Sequence, residues 1–138
     1  MHHMKILVVG KGELALKIGE GAADAGGKAE YSEEYLDGFD LVFLDAAKAK
    51  PEVKGSIALF YAKGLLSVGN AVESALKKMP NARLVNQIAL EKKGFLKNKL
   101  DEIDFERARA FGERTVRNAL GIRPEKSSEK QRIRGYRK

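Results

Sequence analysis

The chain has no cysteine and no tryptophan, and its only histidines are His2 and His3. These absences exclude thiolate metal sites, Cys–His nucleophile pairs, Ser-His-Asp triads and histidine acid/base chemistry. A redox dithiol is excluded too, so any electron transfer has to run through a bound cofactor. Proline is scarce, and Pro51, Pro80 and Pro124 each fall between regular segments. No apolar run reaches membrane-spanning length; Ile6 to Val9 and Leu41 to Leu44 are strand-sized. The opening MHHM lacks the charged flank, apolar stretch and cleavage site of a signal peptide. Residues 1–3 read as an added leader ahead of a start at Met4, and the cytoplasm is the expected compartment. Only two glutamines among 33% charged residues lean toward a thermophilic source.

What is present is charge, unevenly placed. Of the formal net +7, the stretch from Arg123 to Lys138 carries +5, seven basic residues against two acidic, which leaves +2 for the rest. The chain therefore divides into one domain at 4–122 and a disordered basic tail at 123–138 that holds too little apolar material to fold. Arg123, Lys126, Lys130, Arg132, Arg134, Arg137 and Lys138 read either as a solubilising terminus or as phosphate contacts without sequence preference, with Tyr136 stacking on a base. Any nucleic acid contact is assigned to the tail alone, and membrane contact is not expected.

Along the domain, short apolar runs alternate with helical periodicity. KILVVG (5–10) reads as a buried strand. Leu14, Ile18, Ala22 and Ala25 come next at helical spacing, and AGG stops that helix. KAEYSEE is a more polar strand near a sheet edge, and LVFLDAA is a buried strand ending at Asp45, succeeded by a polar loop or short helix broken at Pro51. SIALFYAKG (56–64) is a third apolar strand. Asn70 to Met79 is a short helix, with Asn70 as its cap, burying Val72 and Leu76 with Ala75 alongside. ARLVNQIAL is the last strand. A helix is predicted from Asp104, as N-cap, to Leu120, with Phe105, Ala108, Gly112, Val116 and Ala119 facing inward. The aromatics Tyr35, Phe39, Phe43, Phe60 and Phe111 read as core or turn packing. This alternation predicts an α/β fold: a three-layer, doubly wound, parallel five-stranded sheet. Ligands of such sheets sit outside the carboxyl ends of the strands, where the loops 10–13, 45–51 and 61–70 would meet.

Gly10, Gly12 and Ala15 fit the G-x-G-x-x-G/A dinucleotide fingerprint, with Glu30 at the spacing of its ribose acid. The plainer reading is a glycine turn joining a buried strand to a close-packed helix. A full dinucleotide fold wants six strands and a catalytic partner domain, so NAD(P) binding stands as a second alternative. Asp45 reads as a cap for the segment after it or as a ligand for ribose or ribityl hydroxyls. Lys48, Lys50 and Lys63 read as surface lysines or as a cluster around an anion.

In its succession of elements the chain resembles the flavodoxin family over roughly 5–120. KIGEGAADAGGKAEY resembles the family's first helix and second strand, and YLDGFDLVFLDAA its third strand. GSIALFYAKGLLSVGNAVESAL resembles the fourth strand, second flavin loop and next helix, while DEIDFERARAFGERTV resembles the closing helix. The resemblance implies strand order 2-1-3-4-5, bound FMN, and electron transfer or flavin/quinone reduction with an unidentified redox or protein partner. By position it places the phosphate site at Gly10, Lys11, Gly12, Glu13 and Leu14. It places the ring-flanking loops at Ala46, Ala47 and Lys48, and at Tyr61, Ala62, Lys63 and Gly64. The family's hydroxyl-rich phosphate loop is shortened here to Gly10-Lys11-Gly12, so FMN binding is expected to be weak or lost. The alternative function is a non-redox interaction module on the same fold. No catalytic residue and no metal ligand is assigned.

Overall fold

A computed structural model describes residues 4–63, 71–92 and 100–121. Gly64, Asn70, the segment 93–99 and the tail from Arg123 lie outside the described residues, and so do the site, cap and tail roles expected of them. The strands are β1 (Lys5–Val9), β2 (Lys28–Ser32), β3 (Leu41–Asp45), β4 (Lys54–Lys63) and β5 (Asn81–Glu91). They form one parallel sheet in the order β2-β1-β3-β4-β5, as expected. The helices among the described residues are α1 (Glu13–Asp24), α2 (Ala71–Lys77) and α3 (Glu102–Ala119), with a 3₁₀ turn at Ala46–Lys48.

The central strands read as continuous apolar runs because both of their faces are buried. Successive side chains point to opposite sides of a strand, so β1 sends Ile6 and Val8 to one core and Leu7 and Val9 to the other. The first core is roofed by α1 and α3: Ala15, Ile18 and Ala22 meet Ala108, Phe111 and Val116 over Phe43, Ala58 and Phe60. Phe43 and Phe111 pack edge to face with ring centroids 5.7 Å apart. Burying each such ring away from water contributes about 1.5–3 kcal/mol.

Glycine sets how closely α1 and α3 approach. A Cβ on Gly21 would lie 1.8 Å from the Arg109 carbonyl oxygen, and one on Gly112 would lie 2.1 Å from that of Ile18. The phrases EGAADAG and AFGER, on which the family resemblance partly rests, are thus the two halves of one backbone-to-backbone contact. Arg109, on the outer side of α3, ties the helices together at the surface through Asp24 and Glu20 of α1. Its Nε–H donates to Asp24 Oδ2 at 3.1 Å.

The second core is thinly covered. The connection 33–40 carries no helix, and α2 has only seven residues. Val72, Ala75, Met79 and the fully buried Val53 close this face, with Tyr35 and Phe39 from the 33–40 connection packed against them. The Asp37–Gly38 turn, with Gly38 at φ 97°, ends any helical tendency there.

Several local expectations change. The cap of α3 is Asp101, not Asp104: Asp101 Oδ1 accepts from the Asp104 N–H at 3.0 Å, and Asp104 Oδ2 accepts from the Asp101 N–H at 3.1 Å. This reciprocal capping box explains how Asp104 sits buried in the first turn. The inward stripe of α3 is Asp104, Ala108, Phe111, Gly112, Thr115 and Val116; Phe105 is half-buried and Ala119 exposed. On α2 the buried pair is Val72 and Ala75, and Leu76 is only partly covered, because the short helix turns its Val72–Ala75 ridge to the sheet. β4 begins two residues earlier than expected, at Lys54. On the outer strand β5, Ile57 pairs with Leu84 and Ala58 with Asn86, so Val85 is an extra residue forming a bulge.

Candidate functional site

β1 and β3 are neighbours, but the chain leaves them toward opposite faces of the sheet. β1 leads to α1 over the first core, and β3 leads to the 3₁₀ turn on the second. Their carboxyl ends define the switch point at which open parallel sheets bind ligands. A cleft of about 1130 Å³ opens there.

Its floor begins at Gly10. This residue is buried with φ 152°, and its N–H donates to Ser32 O at 2.9 Å. The conformation favours glycine, and a Cβ there would press on Phe60, at 3.1 Å from its Cζ, and meet Asp45 Cβ at 3.5 Å. Gly12, at φ 90° and ψ −177°, is the N-cap of α1, and a Cβ on it would meet open space. With glycine in that place no side-chain oxygen reaches the first N–H groups of α1, and Glu13 supplies a carboxylate in the first turn. The G-x-G-x-x-A fingerprint is therefore first of all a glycine turn into a close-packed helix.

Lys11, Gly12, Glu13 and Leu14 line one wall; Asp45, Ala46 and Ala47 line the next; Tyr61 and Ala62, near the end of β4, continue it beyond β3. Asp45 acts as the expected cap, its Oδ1 accepting from the Ala47 N–H at 3.0 Å. Eight of the twelve positions placed at the site by resemblance thus border one cleft, and Gly10 lies directly beneath them. Lys48 does not line it. Lys50 donates to Glu34 Oε1 at 3.0 Å, and Lys48 stands 3.9 Å from Glu34 Oε2, so both lysines tie the 3₁₀ loop to the β2–β3 connection. The hydrogen bond from Lys50, its charge and that of Lys48 hold the Glu34 carboxyl below its usual range. The same bond raises Lys50. The side chain of Lys63 and Gly64 are outside the described residues.

Sequence reasoning missed the far wall. It consists of Ser74, Ala75 and Lys78 at α2, Lys92 after β5, and Leu100 and Phe105 at the start of α3. These residues come from three separate segments, and only the antiparallel return of α3 from the carboxyl end of β5 brings Phe105 to the cleft. The available signal was a half-apolar first turn in α3. Glu30 pairs with Leu7 in mid-strand, two positions short of the end of β2, and it does not border the cleft. A strand order of 2-1-3-4-5 is also the flavodoxin-type arrangement, not the six-stranded dinucleotide one.

The sheet order and its flanking helices define a flavodoxin-like α/β fold. The flavodoxin-like domain of a Synechococcus protein superposes with a TM-score of 0.54 at 13% identity, covering 85% of this chain and 98% of that one. A diflavin flavoprotein A3 from Nostoc aligns with a TM-score of 0.49 at 11% identity, over 88% of this chain and 97% of the other. No protein-family model and no curated protein sequence matches the chain. At 13% identity the likeness to the Synechococcus domain establishes the fold alone, and the chemistry has to be argued from the residues of the cleft.

Proposed function

We propose that the cleft binds a flavin, with low affinity, and that the protein serves in flavin-dependent electron transfer or flavin/quinone reduction. The observation that carries this reading is the cleft at the β1/β3 switch point, bordered by most of the positions the family uses. The residues fit the ring end. Tyr61 and Phe105, both half-buried, offer aromatic surface, while Leu14, Ala46, Ala47, Ala62 and Leu100 offer apolar wall. Asp45 and Ser74 are polar groups on the lining within which a ribityl chain could be held. At the phosphate end, Lys11 and the first N–H groups of α1 attract an anion, whereas Glu13 and Asp45 oppose it.

When bound, flavin supplies one- or two-electron transfer. The chain's part is to place the ring between Tyr61 and the loop Ala46–Ala47, to exclude water with its apolar wall, and to leave one side open to a partner. Flavin fluorescence, monitored while protein is titrated into FMN or riboflavin, tests the reading. Saturable quenching is expected with at least one of them. Tyr61→Ala should weaken it by about tenfold, the worth of one lost aromatic stack of about 1–3 kcal/mol. If neither flavin saturates, the fold serves as a non-redox interaction module instead.

A further inference from the structure

The phosphate end of the cleft is the one place where fold and side chains disagree. In this fold the N-terminus of α1 is the anion-attracting pole, by virtue of its unpaired N–H groups and the helix dipole. Here that pole carries a negative charge of its own. Glu13 is the first residue of α1, exposed, and on the lining of the cleft. A carboxylate in a first turn takes up the same field that would otherwise hold a bound anion. Asp45 adds a second carboxylate on the lining, and its Cβ lies 3.5 Å from the place a Gly10 Cβ would occupy. Lys11 is the one lysine on the wall that carries Glu13; among the described residues neither Lys11 nor Glu13 forms an ion pair or side-chain hydrogen bond. Lys78 and Lys92, which also border the cleft, are on the far wall.

From this charge placement we infer that Glu13 is a specificity-determining residue that selects against a terminal phosphate dianion. The preferred ligand of the cleft is then a flavin without phosphate, held by ring and ribityl chain, and riboflavin binds at least as well as FMN. The inference rests on the flavin reading above. No loss of ring contacts is needed: FMN and riboflavin share the ring and the ribityl chain and differ only in the group that meets Glu13. Two carboxylates against one ammonium leave an unfavourable local balance for a group carrying nearly two negative charges at neutral pH. The shortened Gly10-Lys11-Gly12 turn supplies no hydroxyl to offset it.

The test compares dissociation constants for FMN and riboflavin, measured by fluorescence quenching, in the unaltered protein and in Glu13→Gln and Glu13→Asp. Riboflavin is expected to bind the unaltered protein as tightly as FMN or tighter. Glu13→Gln should tighten FMN by about tenfold and leave riboflavin within about twofold, since only the phosphate senses the removed charge. Glu13→Asp keeps the charge and should keep the ratio of the unaltered protein. Circular dichroism of each variant establishes that α1 is intact, and added salt should narrow the FMN gap between Glu13→Gln and the unaltered protein. FMN binding the unaltered protein more than about tenfold tighter than riboflavin would overturn the inference, the flavin reading surviving intact. So would an FMN-to-riboflavin ratio that Glu13→Gln leaves unmoved. Failure of both flavins to bind removes the flavin reading and this inference with it.

Discussion

Replacing Gly112 by alanine puts the packing of α1 on α3 to a direct test. Alanine is the better helix former, by about 0.8–1.0 kcal/mol over glycine in a helix interior, so propensity alone predicts a more stable protein. The structure implies the reverse. The new Cβ would stand 2.1 Å from the Ile18 carbonyl oxygen and 3.2 Å from the Ala22 nitrogen, both main-chain atoms that no rotamer change can move. To reach an ordinary separation of about 3.4 Å the helices have to part by more than 1 Å, which loosens the contacts of Ile18, Ala22, Ala108 and Phe111. Overpacking of this kind costs about 1–3 kcal/mol, and this site, backed by main chain, belongs at the upper end. After subtraction of the propensity gain, a net loss of about 1–2 kcal/mol is expected. Urea unfolding monitored by circular dichroism should show the midpoint falling at unchanged slope, and the thermal midpoint should fall by roughly 4–8 °C. Gly19→Ala is the matched control. There the atoms nearest the added Cβ belong to the phenol end of Tyr31, a side chain 46% exposed and held by one long hydrogen bond from its hydroxyl to Leu16 O at 3.4 Å, so the ring can give way and the loss should be clearly smaller than at Gly112. A Gly112→Ala protein as stable as the parent would refute the close approach of the two helices.

Asp101→Ala should lower stability by about 1 kcal/mol through loss of the α3 cap, read by urea unfolding, with Asp101→Asn recovering most of it. Glu34→Gln should lower the thermal midpoint slightly at neutral pH. Because the folded Glu34 carboxyl is held below its ordinary value of 4.5, its contribution is present above that value and lost as pH falls through the lowered one, so the two melting curves should converge in acid. Removing residues 125–138 should leave the unfolding midpoint unchanged. If the protein binds a nucleic acid homopolymer, the same deletion should abolish that binding, whose affinity in the full chain falls steeply with salt.

The order of the sheet was legible because it depends on features local to each segment. Buried parallel strands read as apolar runs, and α1 announces itself by Leu14, Ile18, Ala22 and Ala25, of which Ile18 and Ala22 are buried in the first core and Leu14 and Ala25 pack against it. Gly10 and Gly12 were equally readable as a turn, since a positive φ leaves a residue-type signature. Asp101 and Asp104 were harder, because a D-x-x-D pair offers two candidates for one cap and only the reciprocal hydrogen bonds decide. Lys48 shows the limit more plainly. Its place next to the ring loop suggested the cleft, but a carboxylate on another connection, Glu34, claims it. The far wall of the cleft was illegible for the same reason: Lys78, Lys92 and Phe105 meet only through tertiary packing.

The bulge on β5 bears on how this protein behaves when crowded with copies of itself. A flat outer strand of eleven residues would offer a row of unpaired N–H and C=O groups to any passing strand and could seed a growing fibre. Val85 interrupts the regular spacing near the middle of that row, and the exposed Arg83 stands beside it. The opposite edge, β2, is only five residues long and exposes Lys28 and Glu30. Straightening β5 by deleting Val85 would therefore be felt less in the melting temperature than in the concentration at which the protein leaves solution, with rising thioflavin fluorescence as the mark of strand-to-strand growth.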